Sequence, residues 1–277
     1  MIPMKSGLIS LLLFSSVLWA DSTLVSPSFY FTYGNYSNKD FSRSLAFYNT
    51  TAVTKNSFLT VHYDHLTIDA TDWSYLQQTF LANSYFHFFP FGIKCTYAYL
   101  KGDYSYKPYH FTYNDFTNLY NLDLFYYKDL YYLGFSFTYL NAKGILNESG
   151  LTQQKSSQLT LRFEKIVSND LFISIKPSYS QLSDGRKLFS LSGKFHYLLN
   201  AQLLLKAGGM TGKRAYYFDS DLLTIFNQDE TQKLLYFGQM EYSPTNFLKI
   251  ISSFQRTEFQ NYSINYFVLG IKSNFFF

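Results

Sequence analysis

A regular alternation of apolar and polar residues runs from about Leu24 to the C-terminus and constrains this chain more than any other feature. In residues 158–164, for example, Leu159, Leu161 and Phe163 share one face, and polar or charged residues occupy the positions between them. Successive side chains of a β-strand point to opposite faces, so this period indicates strands with one apolar and one polar face. Helical periodicity and helix caps are hard to find, and the chain is therefore predicted to be all-β.

Fourteen alternating stretches are predicted, and the pattern allows 12 to 16. They lie near residues 24–34, 41–53, 57–68, 73–88, 92–102, 112–128, 131–141, 155–167, 171–181, 187–198, 202–218, 231–242, 247–258 and 261–277. Most reach the roughly 9–11 residues that a tilted strand needs to cross a bilayer. The strands of soluble sandwiches are usually shorter.

The connections between these stretches alternate in character. One set is short and turn-like, at residues 53–56, 89–91, 128–130, 168–170, 199–201 and 243–246. The other set includes longer polar loops, such as residues 142–154 and 219–230. Outer-membrane barrels have short periplasmic turns and longer external loops. The alternation therefore predicts a transmembrane antiparallel up-and-down β-barrel with both termini on the short-turn side.

Composition agrees with a membrane barrel. Aromatic residues make up 21% of the chain and charged residues 15%, against about 25% charged in soluble globular proteins. Tyr and Phe gather near the predicted strand ends, as in the interfacial girdles of a barrel. The net charge of +4 comes from scattered single basic residues, which does not predict nucleic-acid binding. The single Cys95 excludes an intramolecular disulfide and offers no metal cluster. No cofactor motif is found.

The first twenty residues have the pattern of a secretory signal peptide. Lys5 precedes an apolar run from residue 8 to residue 17, and the small residue Ala20 follows. Cleavage is predicted after Ala20, with Ser22 as the alternative. Residues 21–277 would then form the barrel.

The last strand resembles the C-terminal signature of bacterial outer-membrane β-barrel proteins. The residues that carry the resemblance share one face and end the chain: Phe267, Leu269, Ile271, Phe275 and Phe277. In that family the barrel-assembly machinery recognises the terminal aromatic strand, so the resemblance implies this role for these residues. It also implies contact with outer-membrane lipid and a location in the outer membrane of a Gram-negative-type cell, reached through the periplasm. Ser273 departs from the pattern, since a hydrophobic residue is usual there, and no porin subfamily is identified.

If the apolar faces point outward, charged residues line the lumen. The bases are Lys94, Arg162, Lys176, Lys194, Lys206, Lys233, Lys249 and Lys272, and the acids are Asp64, Asp123, Glu164 and Glu241. Rings of fixed charge set the selectivity of a pore, so this excess of four bases predicts a mild preference for anions or polar solutes. The alternative is that the charges only pair with one another and solvate a barrel interior.

The leading hypothesis is a porin-like channel that passes small hydrophilic solutes or assists export of a polymer. One alternative is a non-conducting structural barrel that binds surface glycans or other partners through loops such as the tyrosine-rich segment 103–113. Another is a barrel hydrolase built on His62 and Asp64, or on His196 with the serines at 190 and 192. Chance pairs of this kind are expected in a serine-rich chain, and an enzyme is not predicted. The sequence does not indicate an oligomeric state.

Overall fold

The computed structural model describes residues 24–108, 111–147 and 150–276, which form β-strands joined mostly by tight turns. The strands are β1 (Leu24–Tyr36), β2 (Phe41–Thr54), β3 (Ser57–Asp69), β4 (Trp73–Phe88), β5 (Phe91–Tyr106), β6 (Phe111–Lys128), β7 (Tyr131–Asn147), β8 (Gly150–Ser168), β9 (Leu171–Leu182), β10 (Lys187–Asn200), β11 (Leu203–Arg214), β12 (Tyr217–Asp219), β13 (Thr224–Phe226), β14 (Gln232–Thr245), β15 (Leu248–Phe259), β16 (Ser263–Ser273) and β17 (Phe275–Phe276). The described residues contain no helix that is long and apolar enough to span a membrane.

Fourteen antiparallel strands form a closed barrel. They are β1–β11 and β14–β16, and β17 continues β16 past Asn274. The ring closes because β1 pairs with β16, from Ser28 opposite Lys272 to Tyr36 opposite Ile264. A closed ring satisfies the backbone groups of every strand and leaves no edge, which is the condition for spanning lipid with strands. The predicted fold class and the count of fourteen are confirmed.

The connections at the two ends of the barrel differ. At one end all six are two residues long, at 55–56, 89–90, 129–130, 169–170, 201–202 and 246–247, where the sequence predicts its short turns. At the other end, called here the upper end, most are also short, and only the connection between β11 and β14 is long. Two predictions about this end are wrong. The expected loop 142–154 is mostly strand, since β7 runs to Asn147 and β8 begins at Gly150. The expected strand 202–218 ends at Arg214, because the chain bulges there and turns inward.

The two faces of the barrel wall have opposite polarity. Leu45 and Leu269 are 63% and 60% exposed on the outer face, while interior-facing Thr117 and Thr257 are fully buried. Such a distribution is inverted relative to a soluble protein and suits a wall that contacts lipid. The C-terminal signature residues Phe267, Leu269, Ile271 and Phe275 are all exposed. Phe277 and the predicted signal peptide, residues 1–20, lie outside the described residues.

Aromatic side chains mark both ends of the wall. At the short-turn end, Phe88 and Tyr126 flank Phe91 with ring centroids 6.3 and 5.5 Å away, and this group matches an interfacial girdle. At the upper end, the expected tyrosine-rich loop 103–113 is mostly strand. Tyr104 of β5 lies directly opposite Tyr113 of β6, with 5.0 Å between ring centroids.

Candidate functional site

The nine charged residues of the predicted lumen site lie at interior-facing positions and are buried or partly buried. They are Lys94, Asp123, Arg162, Glu164, Lys176, Lys194, Lys206, Lys249 and Lys272. Residues one position away, such as Phe163 and Phe195, are exposed on the outer wall. Lys233, which is also expected inside, is exposed beside a register irregularity at the start of β14, so that expectation is wrong.

The chain leaves the wall at a β-bulge near the end of β11. Gly212 has φ of +109°, and a Cβ there would lie 2.5 Å from the carbonyl oxygen of Phe189, so only glycine fits. The bulge turns Arg214 into the interior, where its guanidinium carbon lies 4.5 Å from the ring centroids of both Tyr217 and Phe226. This contact fixes the start of an inward-folded segment.

Residues 215–231 form this segment, called here the inner loop, and its first half packs inside the barrel. β12 and β13 pair within it as a small two-stranded sheet. Tyr216 and Phe218 are buried against interior leucines from six strands, namely Leu81, Leu100, Leu119, Leu140, Leu182 and Leu188. The side-chain amide of Gln158 accepts from the Phe218 N–H and donates to the Phe218 carbonyl, both at 3.0 Å. Apolar packing and paired backbone bonds therefore hold the loop against one side of the lumen.

The loop also brings two carboxylates to the basic wall. Lys176 Nζ lies 3.0 Å from Asp219 and 2.9 Å from Asp221, and Lys194 Nζ lies 2.8 Å from Asp221. Arg162 pairs with Asp221. We call this group the latch cluster; its members are Lys94, Arg162, Lys176, Lys194, Asp219 and Asp221, and Lys94 joins it by donating to the Ser220 carbonyl.

The four bases of the latch cluster face four acids, namely Asp219 and Asp221 of the loop and Asp123 and Glu164 of the wall. Burial by itself would raise the pKa of the Asp221 carboxyl, but Lys176, Arg162 and Lys194 outweigh burial and hold that pKa well below its ordinary value. Glu164 lies 4.0 Å from both Arg162 Nε and Lys194 Nζ. The loop is thus tied to the wall by charge as well as by packing.

A second basic group lies beside the latch cluster on the next strands around the ring, β11 and β14–β16. We call it the lysine cluster; it consists of Lys206, Lys249, Lys272 and Glu241. Glu241 accepts from Lys206 and, at 2.7 Å, from Lys249. Lys272 lies directly opposite Lys249 on the neighbouring strand. Two of the three ammonium groups therefore share one carboxylate, and the third lies beside them.

Aromatic rings line the interior near the short-turn end, beside the latch cluster. Tyr85 and Tyr127 share a hydrogen bond of 2.5 Å between their hydroxyls, and the rings of Tyr127 and Tyr132 lie 4.8 Å apart. Arg162 lies 5.7 Å from the ring centroid of Phe125 and 5.8 Å from that of Tyr132. These rings place an aromatic surface in the lumen beside the charged side chains of the latch cluster.

The predicted histidine pairs are not assembled for catalysis within the described residues. His62 stacks on Tyr48 at 4.0 Å, and neither of its ring nitrogens has a hydrogen-bond partner there. Asp64 accepts instead from Ser44. His196 packs against the ring of Phe172, and the buried hydroxyl of Ser192 has no hydrogen-bond partner among the described residues. A nucleophile and base within hydrogen-bond reach, which hydrolysis requires, are not found in these pairs.

The sequence pattern does not identify the acidic residues that balance the positive charge of the lumen. The alternation assigns Asp219 to an external loop, because it cannot show that the loop folds inward. Arg214 and Asp115 also face the interior. With the loop included, the described interior holds eight bases (Lys94, Arg162, Lys176, Lys194, Lys206, Arg214, Lys249, Lys272) and seven acids (Asp64, Asp115, Asp123, Glu164, Asp219, Asp221, Glu241). One signal was available, since Tyr216, Phe218 and Ile225 are too apolar for a solvated loop.

Solved structures of the same architecture share little sequence with this chain. The CymD monoaromatic hydrocarbon channel is 7% identical with a TM-score of 0.63, and the match covers 94% of this chain and 89% of that one. The Pseudomonas putida toluene transporter TodX is 7% identical with a TM-score of 0.58, covering 91% and 88%. CdiB from Acinetobacter baumannii is 10% identical with a TM-score of 0.55, covering 90% and 60%.

No protein-family model and no curated protein sequence matches the chain. The likeness to solved structures therefore shows the fold, which is that of the outer-membrane β-barrels, as the last strand implies. The sequence predicts an outer-membrane location, and the fold agrees with that prediction.

Proposed function

We propose that this chain is an outer-membrane diffusion channel that passes small hydrophilic solutes through a lumen narrowed by its own inner loop. The supporting observation is a closed ring of fourteen strands whose interior is lined by hydroxyl, amide and charged side chains. A ring of about eight strands is filled by its own side chains, whereas 16 to 18 strands leave an aqueous channel. Fourteen strands with one loop inserted leave space for a narrow polar path. The similar structures CymD and TodX are a channel and a transporter, which agrees with a conducting role.

The path would run along the side that the inner loop leaves uncovered. The first half of the loop packs on interior residues of β4–β10, and its second half contacts Asn261 and Tyr262 at the upper end of β15 and β16. The remaining wall is formed by the lower parts of β14–β16 and by the strands that follow them around the ring. That wall carries the lysine cluster. Uncharged polar solutes and small anions are therefore the favoured cargo. A narrow polar path would also admit an extended polymer segment.

Single-channel recording tests the conducting role. Purified protein in planar bilayers should give stable current steps whose size rises with salt concentration. A variant in which residues 217–226 are replaced by a short Gly-Ser linker should give larger steps. If neither protein conducts, the channel proposal is wrong.

A barrel without conductance is the second candidate, and one observation favours it. The buried apolar cluster around Phe218 seals part of the lumen as a protein core would. The upper rim would then be the working surface, where Trp73 stacks on Tyr104 at 5.7 Å and offers flat rings to a glycan. Silent wild-type protein together with a conducting loop-linker variant would favour this role. Glycan-array binding that is lost in Trp73→Ala would support it directly.

Two further roles are proposed from position. The outer-face residues Phe267, Leu269, Ile271 and Phe275 lie at the end of the chain, on the strands that close the ring. Recognition of this last strand by the barrel-assembly machinery would therefore link assembly to closure of the barrel. Replacing Phe275 and Phe277 with Ser should lower the heat-resistant folded fraction in outer-membrane extracts.

Residues 1–20 would direct export and be removed. The sequence of the mature N-terminus tests cleavage after Ala20.

A further inference from the structure

The lysine cluster contains an unfavourable placement. Lys249 of β15 and Lys272 of β16 are direct cross-strand partners, and both face the lumen. Like charges directly opposite each other destabilise an antiparallel pair. Lys249 is relieved by Glu241, 2.7 Å away. Among the described residues, which are 24–108, 111–147 and 150–276, Lys272 has neither an ion-pair nor a hydrogen-bond partner.

Glu241 has no capacity left for this third lysine. Its carboxylate already accepts from Lys206 and Lys249, and the Gln239 amide donates to it at 2.7 Å. Glu241 is only 6% exposed at its side chain, whereas Lys206 and Lys249 are 22% and 32% exposed. The acid is therefore buried beneath the ammonium groups, and the ammonium groups face the open lumen.

Neutral polar side chains adjoin the cluster on both sides. Ser28 of β1 lies directly opposite Lys272, and His196 of β10 lies directly opposite Lys206. Both can donate hydrogen bonds to an anion held between the strands. In the latch cluster the corresponding space is filled by the loop carboxylates of Asp219 and Asp221. The lysine cluster has a similar basic wall, but neither of these two loop carboxylates pairs with it.

We propose that Lys206, Lys249 and Lys272 form a binding site for a multiply charged tetrahedral oxyanion, namely inorganic phosphate or the phosphate group of a solute. Lysine ammonium groups are point charges on flexible stems and suit a tetrahedral anion, whereas a planar carboxylate is better matched by the arginine fork. Three positive charges and one carboxylate give the cluster a net charge of +2, which matches a doubly charged ligand. The inference rests on the proposed channel function, because the ligand reaches the site through the lumen.

The experiment measures block of chloride current by phosphate in planar bilayers. For the wild type, inorganic phosphate should reduce the current in a saturable way. Lys272→Gln should raise the half-blocking concentration at least about fivefold, since one charge at about 4 Å in water contributes roughly that factor. Lys272→Arg, which keeps the charge, should stay close to the wild type. The matched control is Lys233→Gln, because Lys233 lies on the same side of the barrel but is exposed outside the cluster.

A second measurement separates failure of the site from failure of the channel. Equilibrium dialysis of detergent-solubilised protein with labelled phosphate reports binding whether or not the barrel conducts. Conducting protein without phosphate block or saturable binding overturns the site and leaves the channel standing. Silent protein that binds phosphate in a Lys272-dependent way supports the site alone. Glucose 6-phosphate used beside inorganic phosphate shows which source the site takes, and equal block by Lys272→Gln and wild type overturns the proposal.

Discussion

The latch cluster and the lysine cluster are built from the same residue types, yet their charges are balanced in different ways. In the latch cluster, four bases on β5, β8, β9 and β10 meet two carboxylates that arrive on the inner loop. In the lysine cluster, three bases lie around the single carboxylate of Glu241, which belongs to the wall itself and pairs with two of them. The difference shows that the wall strands alone do not determine the electrostatic potential inside the lumen. An inward-folded loop can neutralise the bases of one cluster and leave the bases of the neighbouring cluster to interact with the solute.

Removing the inner loop should have the largest effect on this comparison. Replacing residues 217–226 with a Gly-Ser linker withdraws Asp219 and Asp221 and empties the space that Phe218 fills. We expect conductance to rise severalfold, and selectivity to move towards anions because four wall bases lose their partners. Conductance and reversal potential measure the two effects.

The control for loop removal is a Gly-Ser replacement of residues 37–40, the upper turn between β1 and β2, which leaves the inner loop in place. Its conductance should match the wild type. Unchanged conductance in the loop-removed protein would mean that the loop does not occupy the conducting path.

Breaking the latch by one side chain should have a smaller effect. Asp221→Asn leaves three bases facing a neutral amide, which we expect to weaken loop docking by about 2 kcal/mol, between the values for exposed and for buried ion pairs. That is roughly a 30-fold change in the ratio of docked to undocked loop. Brief steps to a larger conductance should become frequent. Asp229→Asn, at an exposed pair with Arg186, should not produce them.

The sequence predicts the barrel well because alternation reports which face of each strand meets lipid. The apolar set that includes Leu159, Leu161 and Phe163 is displayed on the outer face, and the nine charged lumen residues fall inside. The short turns are predicted correctly because six tight connections interrupt the alternation of apolar and polar residues. Periodicity of two residues is sufficient for these features, since each depends only on local chain geometry.

The inner loop is missed because its position depends on contacts between distant parts of the chain. Gln158 and Phe218 are 60 residues apart in sequence and form hydrogen bonds with each other inside the barrel. Periodicity does not report such contacts. The loop residues themselves break the alternation, and Gly212, which starts the inward turn, is also consistent with a bulge that only adds curvature. The balance of charge in the latch cluster therefore required the structure.

Reversing charge in the lysine cluster should shift selectivity without changing pore size. Lys249→Glu combined with Lys272→Glu replaces two positive charges with two negative ones beside Glu241, so we expect the reversal potential to move towards cations and conductance to change little. Lys233→Glu, outside the cluster, should leave the reversal potential unchanged. An identical shift in both proteins would show that the cluster does not line the path.

The smallest effect on conductance is expected from mild acid, which tests the chemistry of the latch cluster. The pKa of Asp221 is held well below its ordinary value, so its carboxylate stabilises the docked loop at every pH above the unfolded value of about 3.9 and loses that contribution only as pH falls further. The charged groups that face it are Lys94 of β5, Arg162 and Glu164 of β8, Lys176 of β9, Lys194 of β10 and the neighbouring Asp219. The ratio of loop-removed to wild-type conductance should therefore be the same at about pH 7 and about pH 5, and should fall towards one only in stronger acid. A fall between these two values would mean that a carboxyl of ordinary or raised pKa, rather than Asp221, controls docking.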